Sequence, residues 1–334
     1  MQGTFDRRKF IAISAAAAGL SVVPFGTSKK AVAGQVVEWR GTSLGAVATI
    51  RLHHRDRTAA QRLIRQVVGE ARRLEHVFSL YRYDSSLCEL NRRGVLLAPP
   101  ADLLELLAAC DHVWHLTSGV FDPTVQALWR CYAEHFAGRP VTSEGPSANA
   151  RQRALELVGW GNVRFDRDKI VFARKGMALT LNGIAQGYIT DRVVDRLRAS
   201  GLNNCLVDMG ELRALGPRPD NRPWHVAVED AQSNATHPLS LTDGAVASSG
   251  AYGYRFDPEG TCNHLFNPLT GACAQTSRGV TVVADTATMA DALSTAFALM
   301  DNDAVRSALA QTSHAKAYAA EAGQLREIST GKGA

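Results

Sequence analysis

The chain has 334 residues, 46% hydrophobic and 21% charged, the composition of a globular protein with a sizeable core; a disordered or coiled-coil chain is excluded. Its net charge of +5 sits at the front: five of the 37 basic residues and one of the 32 acidic ones fall in the first 33 positions, leaving 32 against 31. So nearly neutral a remainder has little field with which to draw a phosphate backbone, and a general nucleic-acid binder is excluded.

Asp6-Arg7-Arg8-Lys9-Phe10-Ile11 sets paired arginines before an uncharged stretch from Phe10 to Ser28, and Ala31-Val32-Ala33 offers small residues for cleavage before Gly34. Serines, alanines, Gly19 and Pro24 keep the stretch only weakly hydrophobic, which suits a twin-arginine export signal better than a membrane anchor. Residues 1–33 are therefore expected to be a signal peptide handled by the twin-arginine translocase. Residues 34–334 are expected to be a soluble periplasmic unit, since no later segment is apolar enough to span a bilayer.

Alternation over Ala46–Leu52 predicts a strand, and Leu63, Ile64, Val67, Val68, Ala71, Leu74 and Phe78 recur at helical spacing, which predicts a helix over about 58–77. A second helix is expected over Leu103–Leu116, a polar loop over Gly138–Ala150, and short strands over 163–165, 170–172 and 178–181. Asn182 is expected to cap a helix running to about residue 199. Strands near 205–207, 224–228 and 280–284 precede a last helix over 288–300. Strands and helices interleave with no dividing linker, so the mature chain is read as one unit.

Several clusters along this framework could carry chemistry. Phe78-Ser79-Leu80-Tyr81, Gly119–Thr124 and Ser248–Tyr252 are small-residue turns beside aromatics, able to clamp a flat ring or to serve as ordinary capped turns. Thr180–Tyr188 places Gly183 and Gly187 at a strand-to-helix junction, where bare backbone can approach a phosphate, although tight helix packing explains such glycines equally. Asp291 and Thr295 stand four apart on one helix face, two hard oxygen donors suited to magnesium; the alternative is helix-terminus electrostatics and a back-bonded Thr. His264, beside a Pro-x-Thr-Gly turn, is a general base or a surface loop histidine. Four cysteines are scattered without a Cys-x-x-Cys, which argues against zinc. Cys262 and Cys273 are the ends of a twelve-residue stretch and either close a loop or remain reduced, buried thiols.

Taken in order, Gly41–Gly45, Ser79–Tyr81 with Ser86 and Asn91, Gly119–Thr124, Gly183–Asp191, Ser248–Tyr252, His264–Gly271 and Ala290–Ala296 resemble the FAD:protein FMN transferases of the ApbE family over nearly the whole mature chain. The leader, Asn182–Tyr188 and Val207-Asp208-Met209-Gly210-Glu211 are similar more specifically to the NosX branch of that family, which serves nitrous oxide respiration.

The resemblance implies an α+β fold of mixed sheets with packed helices, a two-lobed catalytic unit. It implies phosphoryl transfer in which FAD is the substrate, Mg2+ sits by the pyrophosphate, and FMN passes to a Thr or Ser hydroxyl of an acceptor flavoprotein with release of AMP. For the NosX branch that acceptor is the FMN-binding domain of NosR. By position, Asp291, Thr295 and the carbonyl of Gly183 are implied metal ligands and His264 the base. Leu44, Tyr81, Val120, Phe121, Asp122, Thr180, Gln186 and Ser249 are implied FAD contacts. Thr180, Gln186, Asn267 and Leu269 stand where the family usually carries Asp, Lys, Asp and Arg, so charge has been removed around the ligand. Two other activities fit the same residues: hydrolysis of FAD to FMN and AMP, and flavin carriage without chemistry, for which the Asp291/Thr295 pair has no use.

Overall fold

The computed structural model describes residues 20–21, 35–137, 144–229, 236–321 and 324–329. The expected signal peptide therefore lies outside the described residues, apart from Leu20–Ser21, which pair with Val228 and Ala227. No helix among the described residues is long and apolar enough to cross a membrane.

The chain begins with a hairpin of β1 (Gln35–Ser43) and β2 (Ala46–His54). In β2 the alternation read from sequence buries Ala48, Ile50 and Leu52 completely. Helix α1 (Arg57–Phe78) follows, started by Asp56, whose carboxylate accepts from the amides of Thr58 and Ala59; it buries Ile64, Val67, Ala71, Leu74 and Phe78. Helix α2 (Ser86–Arg93) is capped by Ser85 and stopped by Gly94 at φ 72°. Strand β3 (Val95–Leu97), helix α3 (Ala101–Leu116), helix α4 (Gln126–Phe136) and helix α5 (Ala148–Leu155) come next, so the predicted polar loop turns helical where Ser147 caps it; residues 138–143 lie outside the described residues. Strands β4 (Val163–Phe165) and β5 (Lys169–Phe172) join β3 in a small antiparallel sheet.

Helix α6 (Ala185–Ala199) leads into β6 (Cys205–Asp208), β7 (Leu212–Leu215), β8 (Trp224–Glu229), β9 (Thr236–Leu241), β10 (Gly244–Gly250) and β11 (Gly279–Ala284). Helices α7 (Ala287–Phe297) and α8 (Asn302–Leu309) precede β12 (Lys316–Glu321) and β13 (Gln324–Glu327). Eight strands form one sheet in the order β13-β12-β11-β10-β7-β6-β2-β1, antiparallel at every pairing. Period-two patterning decides its two faces: β6 gives Cys205 and Val207 to the main core with α1, α6 and α7, and Leu206 to a smaller core with Trp224 and Val226. The chain is thus α+β. A third, aromatic cluster of Tyr132, Phe256 and Phe266 packs apart from the main core.

Two expectations fail locally, for one reason. Residues 178–181 form no strand, because the partner of Leu179 is a side chain: Asn91 Nδ2 donates to its carbonyl at 2.8 Å and its amide donates to Asn91 Oδ1 at 2.7 Å. The amide of Thr180 donates to the carbonyl of Pro123 at 2.8 Å. Asn182 caps nothing; Ile184 occupies the N-cap of α6, and Asn182 Nδ2 donates instead to the Tyr81 hydroxyl at 3.2 Å. Both polar groups of this segment serve the site rather than the local element. Asn91→Ala strands two backbone groups of a fully buried residue and should lower unfolding free energy by about 2–4 kcal/mol in denaturant titration; a change under about 0.5 kcal/mol would contradict this pairing.

Candidate active site

A cavity of about 1080 Å³ opens between the main core and the aromatic cluster, and all twelve residues implied as site residues line it. That volume suits a ligand larger than an ordinary metabolite. One wall is the β1–β2 turn, where Leu44 takes φ 46° and its amide donates to Glu75 Oε1 at 2.5 Å; burial holds the Glu75 carboxyl above its ordinary range despite that bond. Ser79 fixes the adjacent turn, accepting from the Tyr81 amide at 3.1 Å while Ser85 Oγ donates to the Ser79 carbonyl at 2.6 Å. Tyr81 is held half-exposed at the cavity edge.

The Val120–Asp122 wall follows α3. Asp122 spends its carboxylate on the protein: Oδ1 accepts from the amide and hydroxyl of Thr124 at 2.8 and 2.5 Å, Oδ2 from the amide of Trp160 at 2.9 Å. Phe121 packs in the main core. Both residues line the cavity, yet their side chains shape its wall and are not free groups.

The floor is built by the junction before α6 and by α7. Gly183 lies so close to Thr295 that a Cβ there would stand 2.8 Å from Thr295 Oγ1, so a side chain at 183 would displace Thr295. Thr295 Oγ1 is 3.4 Å from Ser249 Oγ, which in turn is 2.8 Å from Ser294 Oγ. Asp291 is 3% exposed and accepts from the Gly187 amide at 3.0 Å. Burial, opposed by that amide and reinforced by Asp191, pushes its carboxyl up to about 7. Among the described residues no Lys or Arg pairs with it. A buried carboxylate and a hydroxyl one helical turn apart, with the bare backbone of Gly183 against the hydroxyl and no counter-charge, are hard oxygen groups of the kind that suit a magnesium ion. Gln186, 6% exposed, leaves Nε2 buried without a hydrogen-bond partner in the same region.

His264 opens part of its ring to the cavity, but the surrounding protein desolvates it and pushes its pKa down to about 4, against a weaker raising by the Tyr254 carbonyl. Nδ1 lies 3.2 Å from both that carbonyl and the Tyr254 amide; in the tautomer that donates to the carbonyl, Nε2 keeps a lone pair for a substrate proton. Asn267 is no partner for the ring, since its side chain accepts from the amides of Leu269 and Thr270. The low pKa carries a stability consequence. Between pH 4 and 6.5 the unfolded chain binds a proton that folded His264 refuses, so stability rises with pH across that window. Wild type should lose on the order of 2 kcal/mol relative to His264→Asn between pH 7 and 4.5 in denaturant titrations, and parallel pH curves would contradict the assignment.

Cys262 and Cys273 are free thiols, the second of the two alternatives left by their spacing. Cys273 Sγ donates to the Asn263 carbonyl at 3.5 Å, and burial pushes its pKa up to about 11, as for an inert packed thiol.

Some residues of the site lie inside the sequence motifs without a role that the motifs reveal. Asp191 receives Arg213 at 2.6 Å, the amides of Ala287 and Thr288, and the Thr288 hydroxyl, so a side chain of α6 caps α7 and fixes the helix that carries Asp291. Its place at the end of the Gly183–Asp191 motif marks it, but not the helix it caps. Glu211 lines the floor at 4% exposure, and Arg82, Arg92 and Arg130 line the cavity as well. An acidic floor and basic wall residues suit an elongated ligand with internal phosphates.

A hydrophobic cavity with hard oxygen donors and a neutral imidazole is equipment for phosphoryl transfer. The ApbE family model matches residues 44–319, and the chain belongs to the ApbE family. It is 28% identical over 239 residues to a FAD:protein FMN transferase of Haemophilus influenzae, covering 67% of this chain and 68% of that one. It is also 28% identical over 278 residues to a FAD:protein FMN transferase of Treponema pallidum, covering 76% and 75%. Among solved structures, the flavinyl transferase ApbE of Pseudomonas stutzeri in apo form is similar at TM-score 0.75 and 28% identity over 89% of this chain and 95% of that one. The ApbE protein of Thermotoga maritima is similar at TM-score 0.76 and 28% identity, covering 88% and 97%.

Proposed function

We propose that this protein is a Mg2+-dependent FAD:protein FMN transferase. The observation that carries the reading is the convergence of Asp291, Thr295, Gly183 and His264 on one cavity in a chain of this family. In this reading FAD lies with ring contacts from Leu44, Tyr81 and the Val120–Asp122 wall and polar contacts from Thr180, Gln186 and Ser249. Asp291, Thr295 and the Gly183 carbonyl would hold a divalent cation, and such an ion would supply neutralisation of charge at the pyrophosphate.

His264 Nε2 accepts the proton of the acceptor Thr or Ser hydroxyl as that oxygen attacks the FMN phosphorus. The new bond is a phosphoester, the bond that breaks is the pyrophosphate P–O bond, and AMP leaves with the bridging oxygen. The desolvated ring stays neutral at physiological pH, so it is in the proton-accepting form before the acceptor arrives.

The cellular setting proposed is the periplasm, reached through the twin-arginine leader, with residues from 34 onward forming the catalytic unit. A NosR-like FMN-binding domain is the proposed acceptor, in support of nitrous oxide reduction. The leader, Asn182–Tyr188 and Val207–Glu211 support that branch. The test is AMP release from FAD and Mg2+ with and without such a domain. Release that requires the acceptor supports transfer; equal release without it means a FAD pyrophosphatase, and none in either case means a carrier.

A further inference from the structure

One buried charge has no part in the chemistry above. Between β6 and β7 the chain turns at Met209–Glu211, with Gly210 at φ 110° and its amide donating to Asp208 Oδ1 at 3.0 Å. The Glu211 carbonyl accepts from the Met209 amide at 3.2 Å and from the Thr190 hydroxyl on α6 at 3.1 Å. This stitching fixes the turn against α6 and commits the Glu211 side chain to the cavity floor. Among the described residues its carboxylate makes no hydrogen bond or ion pair.

The surroundings are acidic. Asp291 and Glu211 meet the same end of α6: the Gly187 amide donates to Asp291 Oδ2 at 3.0 Å, and the Thr190 hydroxyl reaches the carbonyls of Gln186 at 2.9 Å and Glu211 at 3.1 Å. The cations on the neighbouring strands are engaged elsewhere: Arg213 pairs with Asp191 at 2.6 Å, and Arg51 with Glu38 at 2.7 Å. Gln186 packs over this turn, with Nε2 only 2.6 Å from where a Cβ on Gly210 would stand, and that nitrogen is buried without a partner. Two buried carboxylates lining one cavity without a cation among their partners are hard oxygen donors for a divalent ion, and an unpartnered amide beside them marks a place for an anionic ligand oxygen.

We propose that Glu211 supplies a second carboxylate to the divalent cation site of Asp291, with Gln186 Nε2 donating to the ligand anion that the cation neutralises. The proposal rests on the cation reading given above, which assigned only Asp291, Thr295 and Gly183. A pair of carboxylates makes the site a tighter divalent trap before FAD arrives than one carboxylate would.

Manganese binding to the FAD-free protein, followed by electron paramagnetic resonance, tests this without using activity. Glu211→Gln and Glu211→Ala should bind Mn2+ about 10–100-fold more weakly than wild type, with thermal midpoints in EDTA no lower. Glu211→Asp, which keeps a carboxylate, should recover most of the affinity; this order of variants is not what a purely structural role would produce. Asp291→Asn should abolish binding. If Glu211→Gln and Glu211→Ala match wild type while Asp291→Asn does not bind, Glu211 is not part of the site and the cation reading stands. If wild type fails to bind, or Asp291→Asn binds as wild type does, both fall.

Discussion

Asp291→Asn should lower FMN transfer about a thousand-fold or more while the protein stays folded. A divalent cation at a transferring phosphoryl group contributes several kcal/mol, and each 1.36 kcal/mol is a factor of ten in rate. Asp291 supplies the only carboxylate among the three ligands assigned by the proposed function, so an amide in its place removes most of the charge that holds the ion. The fold should tolerate the change. The side chain is already a poor place for a charge, its carboxyl being pushed up to about 7, and an amide oxygen can still accept from the Gly187 amide. Thermal midpoints in EDTA should therefore be equal to or above wild type. Transfer within tenfold of wild type at limiting magnesium would remove Asp291 from the metal site.

His264→Ala should cost about 100-fold to 10,000-fold in the rate of transfer, with FAD affinity changed only a few-fold. The split follows from the geometry: the ring sits in the cavity wall with Nδ1 3.2 Å from both the amide and the carbonyl of Tyr254, so the protein backbone rather than the ligand holds it, and Nε2 is the ring atom left for the reacting hydroxyl. A rate loss below tenfold, or a matching loss of FAD binding, would make His264 a wall residue.

Much of the fold was legible where one periodicity ran long enough. Helix α1 exceeds its predicted bounds by one residue at each end, because its apolar stripe runs unbroken to Phe78 and Asp56 marks its start. Strands β2, β6, β8 and β11 appear where alternation or a short apolar run placed them. Legibility ended where long-range pairing replaces local preference. Residues 178–181 look like a strand because they are extended and apolar, yet their hydrogen bonds go to Asn91, far away in sequence. Helix α2 is too short for its stripe to stand out, though Ser85 and Gly94 bracket it cleanly.

The site divides along similar lines. The twelve implied residues reached one cavity because motif order, unlike periodicity, carries information about tertiary neighbours. What motif order left out is how side chains are spent. Asp122 is consumed by Thr124 and Trp160, and Asp191 caps a helix nearly a hundred residues away; neither partner can be read from local spacing. Glu211 was visible only as the last letter of the Val207–Glu211 motif, and its burial on the cavity floor is a property of the hairpin and α6 together.

Covalent attachment is the most direct test of the central claim. Mature protein, FAD and Mg2+ are incubated with a NosR-like FMN-binding domain and with its variant lacking the acceptor hydroxyl, and both domains are analysed by intact mass. The account predicts one FMN on the unmodified domain, none on the variant, and none on either when His264→Ala or Asp291→Asn replaces the wild-type enzyme over the same interval. Free FMN accumulating with both domains at an unshifted mass would contradict it.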